Sequence, residues 1–253
     1  MARSTLIVLL ALKAIALTLA VFGQWWAAAI VYFVPDLWVL YHLFVPSGQG
    51  LCPVVTRFNT PRAEVWLTID DGPDETDTPQ ILDLLDRFGA KATFFVIGER
   101  AKRCPKLIAD IARRGHEIAH HTQTHPVGTF WCASPARLSR DLDDAIDTLR
   151  PSGIRPRWFR PPVGIKHLLL PAALAARQLR CVGWSIRSGD VLVRSHERVV
   201  AHVLRKLRPG AIILMHEGPS LHPAVRVRAI ALLLEALSGL GYRCVLPDPS
   251  QFR

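Results

Sequence analysis

The sequence predicts an α/β fold built on a parallel sheet, open or closed into a barrel, with one or two membrane-spanning helices ahead of it. Three observations carry that prediction. From residue 64 onward, strand-like apolar runs alternate with amphipathic helical stretches, the pattern of repeated β-α units. Two nearly continuous apolar segments come first, at 5–22 and 25–45. Half of the 253 residues are hydrophobic, enough to build one core plus an anchor.

Each apolar segment approaches the roughly 20 residues a helix needs to cross a bilayer. Trp25 and Trp26 stand where interfacial aromatics are expected, whereas Lys13 and Asp36 are costly in mid-span unless they snorkel or pair. The first segment lacks a small-x-small cleavage site, and the second argues against simple secretion. No Lys or Arg separates the two, while Arg3 precedes them and Arg57 and Arg62 follow. A hairpin with both ends cytoplasmic satisfies that charge bias; a single span would place the remainder outside. Residues 1–48 are thus the expected anchor and 49–63, rich in Pro and Gly, the expected linker to a domain at 64–253.

Within that domain the expected strands are Val65–Ile69, Ala92–Val96, Glu117–Ala119, Arg157–Phe159, Arg180–Ser185, Ala211–Met215 and Arg243–Leu246. Between them lie helical stretches such as PQILDLLDRFG and PARLSRDLDDAIDTLR, several opened by Pro or Ser and closed by Gly. The five cysteines are odd in number and form no C-x-x-C pair, so neither a disulfide framework nor a thiolate zinc site is indicated. A reducing compartment suits them. The net charge of +10 lies almost wholly beyond the anchor. It favours anionic headgroups, and without a recognisable module or interleaved aromatics no nucleic-acid partner is expected.

In β-α folds, functional groups gather at the C-terminal ends of strands. Five such ends here carry ionisable groups: Asp70 and Asp71, the run His120–His125, Arg160 in RPPVG, Asp190 in SIRSGD, and His216 in LMHEG. Adjacent aspartates after a strand are ordinary turn residues when isolated, and a lone H-x-x-x-H is usually two surface histidines. Together they fit metal chemistry. His121 and His125 have the spacing to converge on one cation, and of the two aspartates one can ligate while the other takes a proton from water. His120 supports the loop.

These motifs, TIDDGP, HTQTH and RPPVG above all, resemble the polysaccharide deacetylases of carbohydrate esterase family four, the NodB homology domain, over roughly Glu64–Leu246. The resemblance implies a distorted (β/α) barrel that removes N-acetyl groups from amino sugars with one divalent metal, commonly zinc. It makes Asp71, His121 and His125 the metal ligands, Asp70 the general base and His216 the general acid. It also pairs Asp190 with His216, has Arg160 hold the base, and gives the Val163 backbone N–H to the oxyanion. In the fourth motif Arg187 and Val191 replace a common aspartate and tryptophan, which bears on substrate contacts and the setting of Arg160.

The motif also resembles a membrane-anchored bacterial branch, so the expected setting is the inner membrane with the domain on the cytoplasmic side. The expected partners are membrane lipid and an N-acylated amino sugar, lipid-linked or part of an envelope glycan. Removal of formyl or another small acyl group from a lipid-carried sugar is the alternative activity. A catalytically inactive membrane-associated binding protein is the other alternative.

Overall fold

The computed structural model describes residues 3–252, with side chains from Ile7 onward. Helix α1 (Arg3–Val21) turns at Gly23, whose φ is 76°, into α2 (Trp25–Phe44), and the two pack as an antiparallel hairpin. Among the residues with described side chains, α2 is long and apolar enough to cross a membrane, and the apolar stretch of α1 described there is Ile7–Val21. The two charges that looked costly find each other: Lys13 Nζ lies 2.6 Å from Asp36 Oδ2 and also donates to Tyr32 O. Small Ala16 and Ala28 are buried in the hairpin, where their size lets helix backbones approach.

Residues 49–63, expected as linker, are instead built into the barrel. They bury Leu51, Cys52 and Phe58 and supply strand β1 (Val54–Val55). After them come β2 (Glu64–Gly72), α3 (Asp77–Arg87), β3 (Ala92–Val96), α4 (Gly98–Arg103), α5 (Pro105–Arg113), β4 (Glu117–His120) and α6 (Pro135–Leu149). The chain continues through β5 (Trp158–Phe159), α7 (Leu170–Ala175), β6 (Arg180–Val182), β7 (Ile186–Arg187), α8 (His196–Lys206), β8 (Ala211–His216), α9 (Arg226–Gly239) and β9 (Arg243–Cys244). All seven expected strands form, with β1 and β7 in addition.

The sheet order is β1-β6-β5-β4-β3-β2-β8-β7, with β9 against β2, and every strand pairing is parallel. Its curl nearly closes because one short stretch serves both ends: β6 pairs with β5, and β7, four residues later, pairs with β8. The result is the expected distorted barrel. Alternation along β2 explains how it fills. Val65, Leu67 and Ile69 face the helices, in one core cluster with Leu82 of α3 and Ile230 of α9. Trp66 points inward to meet Phe95, Trp158 and Phe252, so the lower barrel is plugged by aromatic rings. All five cysteines are free.

Candidate active site

Strict alternation would send Asp70 and Asp71 to opposite faces of the sheet. Asp70 points inward, two residues above Thr68. Asp71 takes φ = 71°, and the β2–β3 register slips between Asp70 and Gly72. That left-handed step re-aims the second carboxylate toward the barrel mouth. The other left-handed non-glycine residues among those described are Thr122, His125, Val163 and Gln178, so four of the five belong to the site loops. Unfavourable backbone of this kind persists only where its surroundings hold it.

Hydrogen bonds supply those surroundings. The loop after β4 is pinned by Asp141 of α6, which accepts from Gln123 N (3.1 Å) and Thr124 Oγ1 (3.0 Å), while His125 N donates to Thr122 Oγ1 (3.0 Å). His120 points away from the mouth: its Nε2 lies 3.0 Å from Leu142 O, and its Nδ1 accepts from Thr122 N. It supports the loop, as expected.

His121 and His125 turn back toward Asp71. Asp71 Oδ1 lies 3.5 Å from His121 Nε2 and 3.3 Å from His125 Nε2, and the three ligand atoms all fall within 4.8 Å of one another. Buried Asp71 Oδ1 nevertheless has no hydrogen-bond partner. His121 Nδ1 sits 2.7 Å from Arg160 O and, as the donor there, leaves Nε2 with its lone pair. Burial, with His121 beside it, lowers His125 to about 4, so this imidazole is neutral. Burial would raise Asp71, but contact with His121 outweighs it and holds the carboxyl below its usual range. One carboxylate and two imidazoles aimed at a common point, with one oxygen orphaned, fit a divalent cation.

Asp70 is held from the other side. Arg160 is fully buried and donates through Nη1 to Asp70 Oδ1 (2.5 Å) and Thr68 Oγ1 (2.9 Å), through Nη2 to Gly183 O (2.8 Å), and through Nε to Val182 O (3.2 Å). Its guanidinium lies 4.1 Å over the Phe95 ring. Two backbone carbonyls, not an acid at position 187, supply its further acceptors; Arg187 is exposed on β7. Asp70 is in register with His216 on the adjoining strand β8. His216 Nδ1 lies 2.8 Å from Asp190 Oδ1, and its backbone N donates to Asp190 Oδ2 (2.7 Å). Burial pulls the imidazole down, yet the Asp190 carboxylate outweighs burial and sets His216 above its ordinary value. Val163 lies in the turn after β5, half-way into solvent. The structure thus brings all eight expected residues to one mouth.

Two supporting residues escaped the sequence reading. Arg100 Nη1 donates to Asp71 O (2.5 Å), clamping the strained step. Glu217, raised by burial to about 8, takes a hydrogen bond from Thr78 Oγ1 and packs so tightly on Gly72 that an added Cβ would lie 1.9 Å from its Oε1. Glu217 had a faint signal, an acid directly after His216. Arg100 had none.

Comparison with known proteins gives relatives of the whole barrel. The polysaccharide deacetylase family model matches residues 57–182. A peptidoglycan-N-acetylglucosamine deacetylase of Bacillus cereus is 36% identical over 183 residues, spanning 72% of this chain and 84% of that protein. A chitooligosaccharide deacetylase of Bradyrhizobium sp. is 36% identical over 191 residues, spanning 70% and 86%. Among solved structures, a peptidoglycan N-acetylglucosamine deacetylase in complex with an N-oxidanyl-benzamide superposes with a TM-score of 0.72 at 32% identity, over 79% of this chain and 92% of that one.

Proposed function

We propose residue roles, a metal and a substrate setting for this chain, which belongs to the polysaccharide deacetylase family and is a carbohydrate N-deacetylase, a hydrolase that removes an N-acetyl group from an amino sugar. The carrying observation is the orphaned Asp71 oxygen facing two imidazole nitrogens beside the Asp70–Arg160 pair. In this reading Asp71, His121 and His125 hold one zinc ion. That ion supplies Lewis acidity, which polarises both a water and the amide carbonyl oxygen.

The remaining work falls to side chains of this chain. Arg160 fixes Asp70 through Oδ1, leaving Oδ2 to accept a proton from the attacking water. The water oxygen adds to the acetyl carbon, and the negative charge gathering on the carbonyl oxygen takes a hydrogen bond from Val163 N–H. His216, its Nδ1 engaged by Asp190, presents Nε2 to the amide nitrogen. The C–N bond then breaks as that nitrogen takes the His216 proton, releasing acetate and the free amine.

The substrate is an N-acetylhexosamine carried on a membrane lipid, at the bacterial inner membrane, with the domain on the cytoplasmic side. The hairpin, with no Lys or Arg in its turn, supports the sidedness; the basic domain supports attraction to a phosphate-bearing carrier. The test pairs elemental analysis with acetate release from a chitooligosaccharide, for the full chain and His125→Ala. Loss of both metal and acetate release is the expected result. Equal metal content in the two proteins would overturn the ligand assignment, and a periplasmic signal from a C-terminal reporter would overturn the sidedness.

A further inference from the structure

The end of α2 is fastened to the active-site loops. Lys166, fully buried, donates through Nζ to Val45 O (2.6 Å) and Pro46 O (3.3 Å), and through its backbone N to Leu43 O (2.9 Å). Its ammonium thus sits just past the C-terminal end of the helix, where the helix dipole favours a positive charge. Pro46 packs against Gly164, the residue after Val163, closely enough that an added Cβ would lie 2.6 Å from the Pro46 Cβ. Phe44, the last residue of α2, meets Trp131 with ring centroids 5.5 Å apart. The barrel mouth is therefore held level with the end of the apolar helix.

Exposed apolar side chains mark the same level. Beyond the hairpin, whose turn exposes Phe22, the large hydrophobic residues exposed among those described all lie in three loops, with the single exception of Leu240. Val127 and Trp131 follow His125; Val163 and Leu169 follow Arg160; Val191 and Leu192 follow Asp190. These loops leave the C-terminal ends of β4, β5 and β7, and in a parallel barrel those ends open on one side. Leu192 is 77% exposed with Val191 beside it at 38%, and the grouping of such residues in three neighbouring loops, not any one of them, is what marks a surface. Exposed Arg187 and Arg194 bracket the last pair, as basic residues do where apolar side chains enter an anionic headgroup layer. Trp25 and Trp26, both exposed, occupy the other end of α2, so aromatic side chains stand at both ends of the helix.

We propose that the mouth of the barrel docks into the headgroup layer of the membrane that holds the hairpin, the three apolar loops entering the lipid, so that substrate sugars reach the site along the membrane surface. This rests on the reading of α2 as a membrane helix and deepens the substrate assignment.

The experiment uses the full chain in phosphatidylethanolamine–phosphatidylglycerol vesicles, with flotation reporting membrane insertion. The emission of Trp131, taken as the difference between wild type and Trp131→Phe, is then challenged with lipids brominated near the headgroup and with aqueous iodide. Quenching by the brominated lipid and protection from iodide are expected. Leu192→Asp is expected to lower turnover of a vesicle-borne N-acetylglucosaminyl polyprenyl phosphate about tenfold, with a soluble chitooligosaccharide unaffected. Protein that floats but whose Trp131 is quenched only by iodide would overturn the docking and assign the rim to a saccharide groove, with the anchor standing. Failure to float would overturn the anchor and the docking together. An equal effect of Leu192→Asp on both substrates would reject the lipid route while leaving the deacetylase chemistry untouched.

Discussion

The floor and the mouth of this barrel are made from the same inward-facing positions of the same strand, yet they do opposite work. Trp66 on β2 donates from Nε1 to Thr93 Oγ1 (2.7 Å) and packs beside the rings of Trp158 at 5.4 Å and Phe252 at 5.5 Å. Two and four residues later, Thr68 and Asp70 bind a fully buried guanidinium. Burying an ion pair costs desolvation that its attraction offsets only when every donor is met. The aromatic floor closes the barrel from below, and the carbonyls of Val182 and Gly183 bring the donors Arg160 uses to four of its five N–H groups. Stability is concentrated at one level and chemistry at the level above. The contrast implies that substitutions at the two levels separate activity from stability.

The mouth should show the larger effect. Asp70→Asn keeps the shape but cannot accept the proton, so acetate release per folded molecule should fall on the order of 10³-fold while metal content stays level with wild type. An active Asp70→Asn enzyme would break the contrast by removing the base from the mouth. At the floor, Trp66→Ala should cost about 3–5 kcal/mol in denaturant unfolding, with turnover by the folded fraction nearly unchanged. A large loss of turnover without loss of stability would mean that the floor takes part in the chemistry.

A third test asks how the mouth sets its acid. Asp190 holds His216 protonated to higher pH than an isolated imidazole, so Asp190→Asn should move the alkaline limb of the rate profile to lower pH. The sign for stability agrees. A raised folded value gives stabilisation that is complete below the unfolded value of 6.5 and is lost as pH climbs through the folded value. An unmoved limb in Asp190→Asn would assign the departing proton to another donor.

The two levels also differ in how legible they were. The floor and its strands could be read because alternation reports burial directly: Val65, Leu67 and Ile69 against Trp66 and Thr68 on β2. The ligand and base residues were legible as types at strand ends, but their convergence was not. Nothing in IDDGP states that Asp71 turns left-handed, and without that turn the two carboxylates would diverge. Strands of two residues, such as β1 and β7, carry no period at all, so Val54–Val55 read as linker. Lys166 was silent for another reason: its partners are carbonyls 120 and 121 residues earlier, and no local pattern announces a contact at that range.

The smallest expected effect lies just outside both levels, at Arg187. The family resemblance implies an acid there, and Arg187 in its place raised the question of what holds Arg160. The geometry answers it, since Arg160 donates to Asp70, Thr68 and two backbone carbonyls with no side chain from β7 involved. Arg187 itself extends into solvent, where a charge pair contributes at most about 1 kcal/mol. Arg187→Asp should therefore change turnover of a soluble chitooligosaccharide by less than about threefold and leave unfolding within about 0.5 kcal/mol of wild type. If the reversal instead accelerated that substrate tenfold or more, an acid at this position would contribute to Arg160 or the sugar after all. The mouth would then extend one strand further than the buried network around Asp70.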